Sequence, residues 1–309
     1  MHLIALLLGL VLEYRLTRLF SLRELRWFDA YFDLALGVLS RCRGGVALVL
    51  AVPVVALPVV PVAWACHVLA QNWLFGAPYV GFSVLMLLIA LGPRNLAEDV
   101  QDYATALRAG DAEQARRLGK GLVEHDIHRD AQGSDAEVPR RRLREAIFVQ
   151  ADNRLFGVIF WFIVCGPFGA AAAWAFRISD LLRRRAAFEA DRRSAGGEAS
   201  PAFLRAVRRL HGLLAWVPIR LLALALALAG SFDRALAALR EHRRGEALPF
   251  YMANEALLAR VGCGALGAEA DDDEMDLAHS VESALALVDR ALWVWLTAIA
   301  LMTLAGSVR

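Results

Sequence analysis

Between Gly44 and Leu69 the chain runs about twenty-six residues without one Asp, Glu, Lys or Arg. Wound as a helix at about 1.5 Å per residue, that stretch exceeds the roughly 30 Å hydrocarbon core of a bilayer. A soluble domain has no surface on which to place it. A second uncharged block, Trp73 to Gly92, follows after the minimal polar turn Ala70–Asn72, so the two predict a tight helical hairpin closed by Pro93 and Arg94. Pro53, Pro58 and Pro61 sit inside the first block and predict a kink, which lipid-embedded helices tolerate.

The rest of the composition agrees. Hydrophobic residues make up 58% of the 309 residues, above the roughly 45–50% of soluble chains. The mean hydropathy is +0.45. The net charge of +2 rests almost wholly on arginine, since Lys120 is the only lysine, and that bias points to genome composition rather than to nucleic acid as a partner. The four cysteines, Cys42, Cys66, Cys165 and Cys263, lie far apart and form no CxxC pair, so they read as small buried hydrophobes. The opening MHLIALLLGLVLEYRL lacks a basic n-region and a cleavage pattern, and it predicts a retained helix. Its apolar run ends at Glu13, about 18 Å of helix, too short to span alone.

Two more blocks can enter a membrane unaided. Leu155 to Phe176 carries Gly166-Pro167-Phe168-Gly169 at its centre, which fits either a kinked span or two half-helices meeting at a site, with the chain dipping in and returning. Ala284 to Gly306 makes the last span, with Asp289 and Arg290 near its start. A further apolar block, Gly212 to Gly230, holds Pro218 and Arg220. An arginine at the centre of such a helix costs about 2.5–3.5 kcal/mol on insertion scales, so it must face protein, water or headgroups.

Between the spans the pattern changes to charged helix. From Arg94 to Arg154 apolar residues recur at three- and four-residue spacings among acids and arginines. Gly110-Asp111 predicts a break followed by an N-cap, and 131–139 predicts a loop. The segments 13–43, 94–154 and 177–210 are all basic, so the positive-inside rule assigns no orientation.

The expected architecture is therefore an all-α, multi-pass membrane protein with water-exposed helical segments between its spans. It comprises an amphipathic N-terminal segment (1–43), a transmembrane hairpin (44–92), a water-exposed helical region (93–154), a transmembrane or re-entrant segment (155–177), a stretch 178–283 of basic linker, apolar Pro/Arg segment and charged helix, and a C-terminal span (284–309).

Chemical motifs are sparse. No GxSxG, HExxH, phosphate-binding loop or dinucleotide fingerprint occurs, and Gly119-Lys120-Gly121 lacks the upstream glycine and hydroxyl residue a phosphate cradle needs. His125, Asp126 and His128 read as a solvated helix face, and the acidic run from Glu269 to Asp276 lacks the alternate spacing of a calcium loop. No catalytic residue, metal site or cofactor is expected from these patterns. The ionisable groups near lipid remain: Glu13, Asp152 with Arg154, Arg220, and Asp289 with Arg290. Such groups pair with one another or anchor helix ends. Arg220 is expected to be held by a carboxylate, from Glu13 or Asp152, or else to snorkel to headgroups. Pro218 frees the carbonyl one turn earlier, near Leu214, for some other donor.

The order of LLLGLVLEYRL (Leu6–Leu16), ALRAGDAEQARR (Ala106–Arg117), REAIFVQADNRLFGVIFWF (Arg144–Phe162), CGPFGAAAAWAFR (Cys165–Arg177) and WVPIRLLALALALAG (Trp216–Gly230) resembles the AmpE family of inner-membrane proteins. That family is related to the adenosylcobinamide-phosphate synthases of cobalamin assembly. In the synthase branch the segment matching Ala146–Phe160 carries a Glu-Asn pair, then an Asp and an Ala-Pro-Leu-Phe run. Here Asp152-Asn153 stands for the pair, Phe156 occupies the place of the Asp, and the Ala-Pro run is absent. The departure favours the AmpE branch.

The resemblance implies a bacterial inner-membrane protein that modulates signalling linked to cell-wall recycling and β-lactamase induction. A small cell-wall-derived ligand or a regulatory protein would be its partner, besides the lipid bilayer. Glu13, Asp152, Asn153 and Arg220 would form its polar pocket. The alternative is a membrane enzyme that joins or transfers an amine- or phosphate-bearing group.

Overall fold

Where the apolar blocks break is decided by proline and glycine. In the computed structural model, which describes residues 6–9, 28–42, 45–71, 76–92, 96–123, 139–193, 202–244, 248–267 and 276–306, all regular structure among those residues is helical. The helices are α1 (Asp29–Leu39), α2 (Gly45–Ala56), α3 (Val60–Leu69), α4 (Ala77–Leu91), α5 (Leu96–Arg108), α6 (Ala112–Val123), α7 (Arg140–Ala151) and α8 (Gly157–Val164). They continue with α9 (Gly169–Arg193), α10 (Ala202–Leu214), α11 (Trp216–Ala229), α12 (Phe232–Arg244), α13 (Phe250–Leu266) and α14 (Leu277–Leu304).

Among the described residues, four stretches are long and apolar enough to cross a membrane: Gly45–Leu69, Ala77–Arg108, Arg140–Val164 and Leu277–Leu304, with α10 and α11 a fifth if that pair is one broken span. The all-α, multi-pass reading of the sequence therefore holds. Only 17% of the Gly45–Leu69 window is buried inside the protein, and Val49 and Trp64 project outward from it. Lipid is the environment that accepts such a surface. The kink expected there falls at Leu57–Val59, between α2 and α3, where Pro58 has no N–H to give and Pro61 opens the next helix.

The chain divides into two compact units. In the first, formed by residues 1–93, 153–216 and 302–309, α9 is the central helix and packs against α8, α10, α4, α3 and α2. Trp174 on α9 meets Phe28 edge-on, with centroids 5.7 Å apart. The block 155–176 is not one helix. The chain leaves α8 at Cys165, makes a single 3-10 turn over Gly166–Phe168 and comes back as α9.

The return is antiparallel, as two close approaches show. A Cβ on Gly169 would lie 1.9 Å from the Phe162 carbonyl oxygen, and one on Gly157 would lie 2.2 Å from the Phe176 ring. Gly166 takes φ +50°, which glycine accepts without strain. The Tyr79 hydroxyl on α4 donates to the Pro167 carbonyl at 3.2 Å and ties the tip of the hairpin.

In the second unit, 94–152 with 217–301, α5 and α6 form a pair separated at Gly110-Asp111. Gly110 has φ +72°, and the Asp111 carboxylate accepts from the Gln114 N–H at 2.9 Å, the N-cap that the spacing predicts. Helix α7 packs on α6 and on α13, and α12 packs on α13. Gln150 donates to the Leu122 carbonyl across the α6–α7 contact. Gly262 lets α13 close on Phe148, whose ring would be 2.5 Å from any Cβ there. Arg108 on α5 reaches Glu282 on α14 at 2.5 Å.

Several expectations need correction. Helix α7 is not a water-exposed segment: Leu143, Arg144 and every residue from Ala146 to Ala151 are buried. Residues 178–193, expected to open a basic linker, continue α9 without a break. The last helix starts at Leu277, seven residues before the expected 284. The Asn72 turn, the loop 131–138, the His125/Asp126/His128 group and most of the acidic run at 269–276 lie outside the described residues.

Candidate functional site

The four arginine and aspartate positions Arg177, Asp180, Arg183 and Arg184 follow one another at helical spacings of three and four, so α9 carries them on one face. That face points inward. Asp180 is 0% exposed, and it receives Arg183 Nη2 at 2.9 Å, Arg184 Nε at 2.9 Å and Arg177 Nη1 at 3.3 Å. Burial alone would push the Asp180 carboxyl up, but the guanidiniums of Arg184, Arg183 and Arg177 hold it well below the usual carboxylate range. It is therefore a permanent anion at any physiological pH.

Three guanidiniums share this one carboxylate. The Nε of Arg177 and the Nη2 of Arg184 are buried without a hydrogen-bond partner among the described residues. Donors held in that way beside one shared carboxylate, among the described residues, suit an added anion bearing several acceptor oxygens.

One residue from this carboxylate begins a second polar chain. Ser179 Oγ lies 2.9 Å from His211 Nδ1 on α10 and 2.7 Å from the Phe176 carbonyl. His211 Nε2 donates to Asn153 Oδ1 at 2.9 Å. The Phe176 ring lies over the imidazole with centroids 5.1 Å apart. Ser179, His211 and Asn153 are all buried, so the relay is shielded from solvent. It fixes the side-chain positions on α9 and α10 that flank the arginine cluster.

The backbone of the preceding span closes the other side. Gly92 adopts φ +91°, and a Cβ there would lie 2.6 Å from Arg177 Nη2. The replacement Gly92→Ala should therefore displace the guanidinium as well as strain the backbone. We expect it to cost about 1–3 kcal/mol, read as a lowered unfolding midpoint of the detergent-solubilised protein.

The residues named from the sequence are distributed differently. Asn153 belongs to the buried relay. Asp152 is buried at the start of a short π-helical turn, Asp152–Phe156, on the second unit's side of the division. Arg220 gives Nη1 to Asn254 Oδ1 on α13 at 3.1 Å. Glu13 lies outside the described residues. Asp289 and Arg290 are exposed.

The Leu214 carbonyl that Pro218 leaves without its helical donor is taken by the Trp161 indole N–H at 3.1 Å. Asp180 and His211 lie in the stretch 178–283, where the density of arginine along the chain, including Arg183, Arg184 and Arg185, predicts a basic linker and no buried site. The RxxDxxRR spacing was the available signal, since an acid three and four residues before arginines is a helix pattern. Among the described residues, no group of three or more His, Cys, Asp and Glu is placed to hold a metal ion.

Comparison with known proteins gives two kinds of relative. The chain is 30% identical over 291 residues to the cobalamin biosynthesis protein CobD of Stutzerimonas stutzeri (strain A1501), covering 87% of this chain and 84% of that protein. It is 25% identical over 241 residues to the CobD of Chromobacterium violaceum, covering 73% and 70%. No solved structure matches. The family model described as regulatory signalling modulator protein AmpE matches residues 1–309 from end to end. With a match over its whole length, this chain belongs to the AmpE family.

Proposed function

We propose that this protein is a bacterial inner-membrane signalling modulator, linked to cell-wall recycling and β-lactamase induction, that senses a small anionic ligand at the Arg177–Asp180–Arg183–Arg184 cluster. The observation that carries the reading is the buried imbalance of charge, three guanidiniums on one carboxylate with donors left over. Cell-wall fragments supply such a ligand, because their peptides end in carboxylates. The hairpin of α8 and α9 suits reception rather than transport. The uncharged parts of the two arms, 155–164 and 169–176, are about 15 and 12 Å long, shorter than the hydrocarbon core, and each helix continues beyond them into charged residues, as Arg140–Val164 and Gly169–Arg193. On this reading 155–177 is a re-entrant hairpin, with its apolar tip at Pro167 and the charged cluster at its base.

The test uses the full chain in detergent with an anhydromuramyl tripeptide as the probe. Saturable binding is expected for the parent. Binding should weaken at least about tenfold, or 1.4 kcal/mol, in Arg184→Gln. In cells, Arg184→Gln should reproduce the effect of deleting the gene on an inducible β-lactamase reporter. Equal binding by parent and variant, with an unchanged reporter, would remove the reading.

The relatives named for cobalamin biosynthesis favour a second reading, an enzyme transferring or joining an amine- or phosphate-bearing group. Phe156, at the position where that branch carries an acid, is wholly buried. A phenyl ring has no electrostatic role to play there. The gene is therefore expected not to restore cobinamide synthesis to a synthase-deficient strain, and growth of that strain on cobyric acid would establish the second reading.

A further inference from the structure

A groove of about 530 Å³ lies wholly within the second unit, between α11, α12 and α13. Its wall is apolar, formed by residues such as Leu224, Ala227, Leu239 and Leu257, with two polar side chains, Arg220 and His242. That size and balance match sites for small molecules with a hydrophobic body and one recognised polar group. Asn254 holds the Arg220 guanidinium in position. Burial, helped by Arg260, lowers His242, so the imidazole is neutral at pH 7 and Arg220 supplies the only formal charge among the described residues of the lining.

What enters is indicated by what surrounds the groove. Leu224 is 53% exposed and Phe232 49% exposed, and Leu221 and Leu228 on the same helix, α11, are also turned outward. A groove bordered by outward-facing leucines opens to hydrocarbon rather than to water. We infer that it is a binding site for an anionic membrane lipid, one acyl chain lying along Leu224, Ala227 and Leu257 and the phosphate of the headgroup meeting Arg220. An arginine in an otherwise apolar helix then has a function. It selects the charge of the lipid while the groove selects the chain.

The full chain in nanodiscs of mixed phosphatidylglycerol and phosphatidylcholine, released into native mass spectrometry, tests this. One phosphatidylglycerol should be retained per chain, at least about fivefold over phosphatidylcholine. Arg220→Gln should abolish the preference, and Arg220→Lys should keep most of it because the charge remains. Ala227→Trp, which fills the groove, should remove the retained lipid altogether. Arg184→Gln, in the first unit, should leave retention unchanged, so failure of the proposed cluster and failure of this groove are read separately. Dodecyl phosphate should displace the lipid and inorganic phosphate should not. Equal retention of the two lipids, an unaltered preference in Arg220→Gln, unaltered retention in Ala227→Trp, loss of retention in Arg184→Gln, or displacement by inorganic phosphate would each overturn the inference.

Discussion

Asp180→Asn is expected to destabilise the protein by about 3–5 kcal/mol, the cost of removing one partner from a buried ion pair. The reason is the company Asp180 keeps. Arg177, Arg183 and Arg184 all lean on one fully buried carboxylate, and without it three cations face one another at low dielectric. Asp33→Asn is the control, since Arg185 grips that carboxylate with two hydrogen bonds of 2.8 and 2.9 Å at an exposed site. Surface pairs contribute about 1 kcal/mol or less. Unfolding midpoints in one detergent would rank the two, and equal losses would mean that the cluster is hydrated rather than buried.

The pH dependence follows with a definite sign. The folded Asp180 carboxyl titrates well below its ordinary value, so its contribution is fully present above the unfolded pKa near 3.9 and is lost only as pH falls through the lower folded value. Between pH 5 and 8 this group should leave the stability of the parent unchanged, and the deficit of Asp180→Asn should be constant across that range.

Gly169→Ala is expected to be nearly as severe, at about 3 kcal/mol or more, at the upper end of what overpacking costs. The added methyl would lie 1.9 Å from the Phe162 carbonyl oxygen. Backbone cannot swing away as a flexible side chain does, so the hairpin of α8 and α9 must open to admit it. Opening it separates Gly157 from Phe176, and Phe176 is the ring that lies over His211. Gly37→Ala, on α1, has nothing within 4 Å of its Cβ and should be neutral or stabilising by up to about 1 kcal/mol, as expected of a helical glycine with open space at its Cβ. A retained fold in Gly169→Ala, judged by an unshifted midpoint, would show that the turn has room the close approach denies it.

Much of the fold was legible in the chain because hydrophobicity is additive along a sequence. Uncharged blocks long enough for a bilayer, prolines that place the α2–α3 break, and Gly110-Asp111 as a stop and cap are local statements, and each follows from backbone chemistry that needs no neighbour. The donor-free Leu214 carbonyl is of the same kind, since Pro218 frees it wherever the helix lies; only its partner, Trp161, required the fold.

The site was a different matter. Arginines at 183–185 look solvated when counted along the chain, because charge in a sequence carries no sign of burial. They become a buried cluster around one carboxylate only once α8 turns back on α9 at Gly166–Gly169, and α9 is packed round by α10 and α4. The same packing brings His211, thirty-two residues on, to Ser179, and Asn153, fifty-eight residues earlier, to His211. Composition and spacing by themselves determined that this chain lives in a membrane as helices. Which of its polar groups share a low-dielectric interior was decided by tertiary structure alone, because that choice depends on contacts between residues far apart in sequence, which no local period encodes.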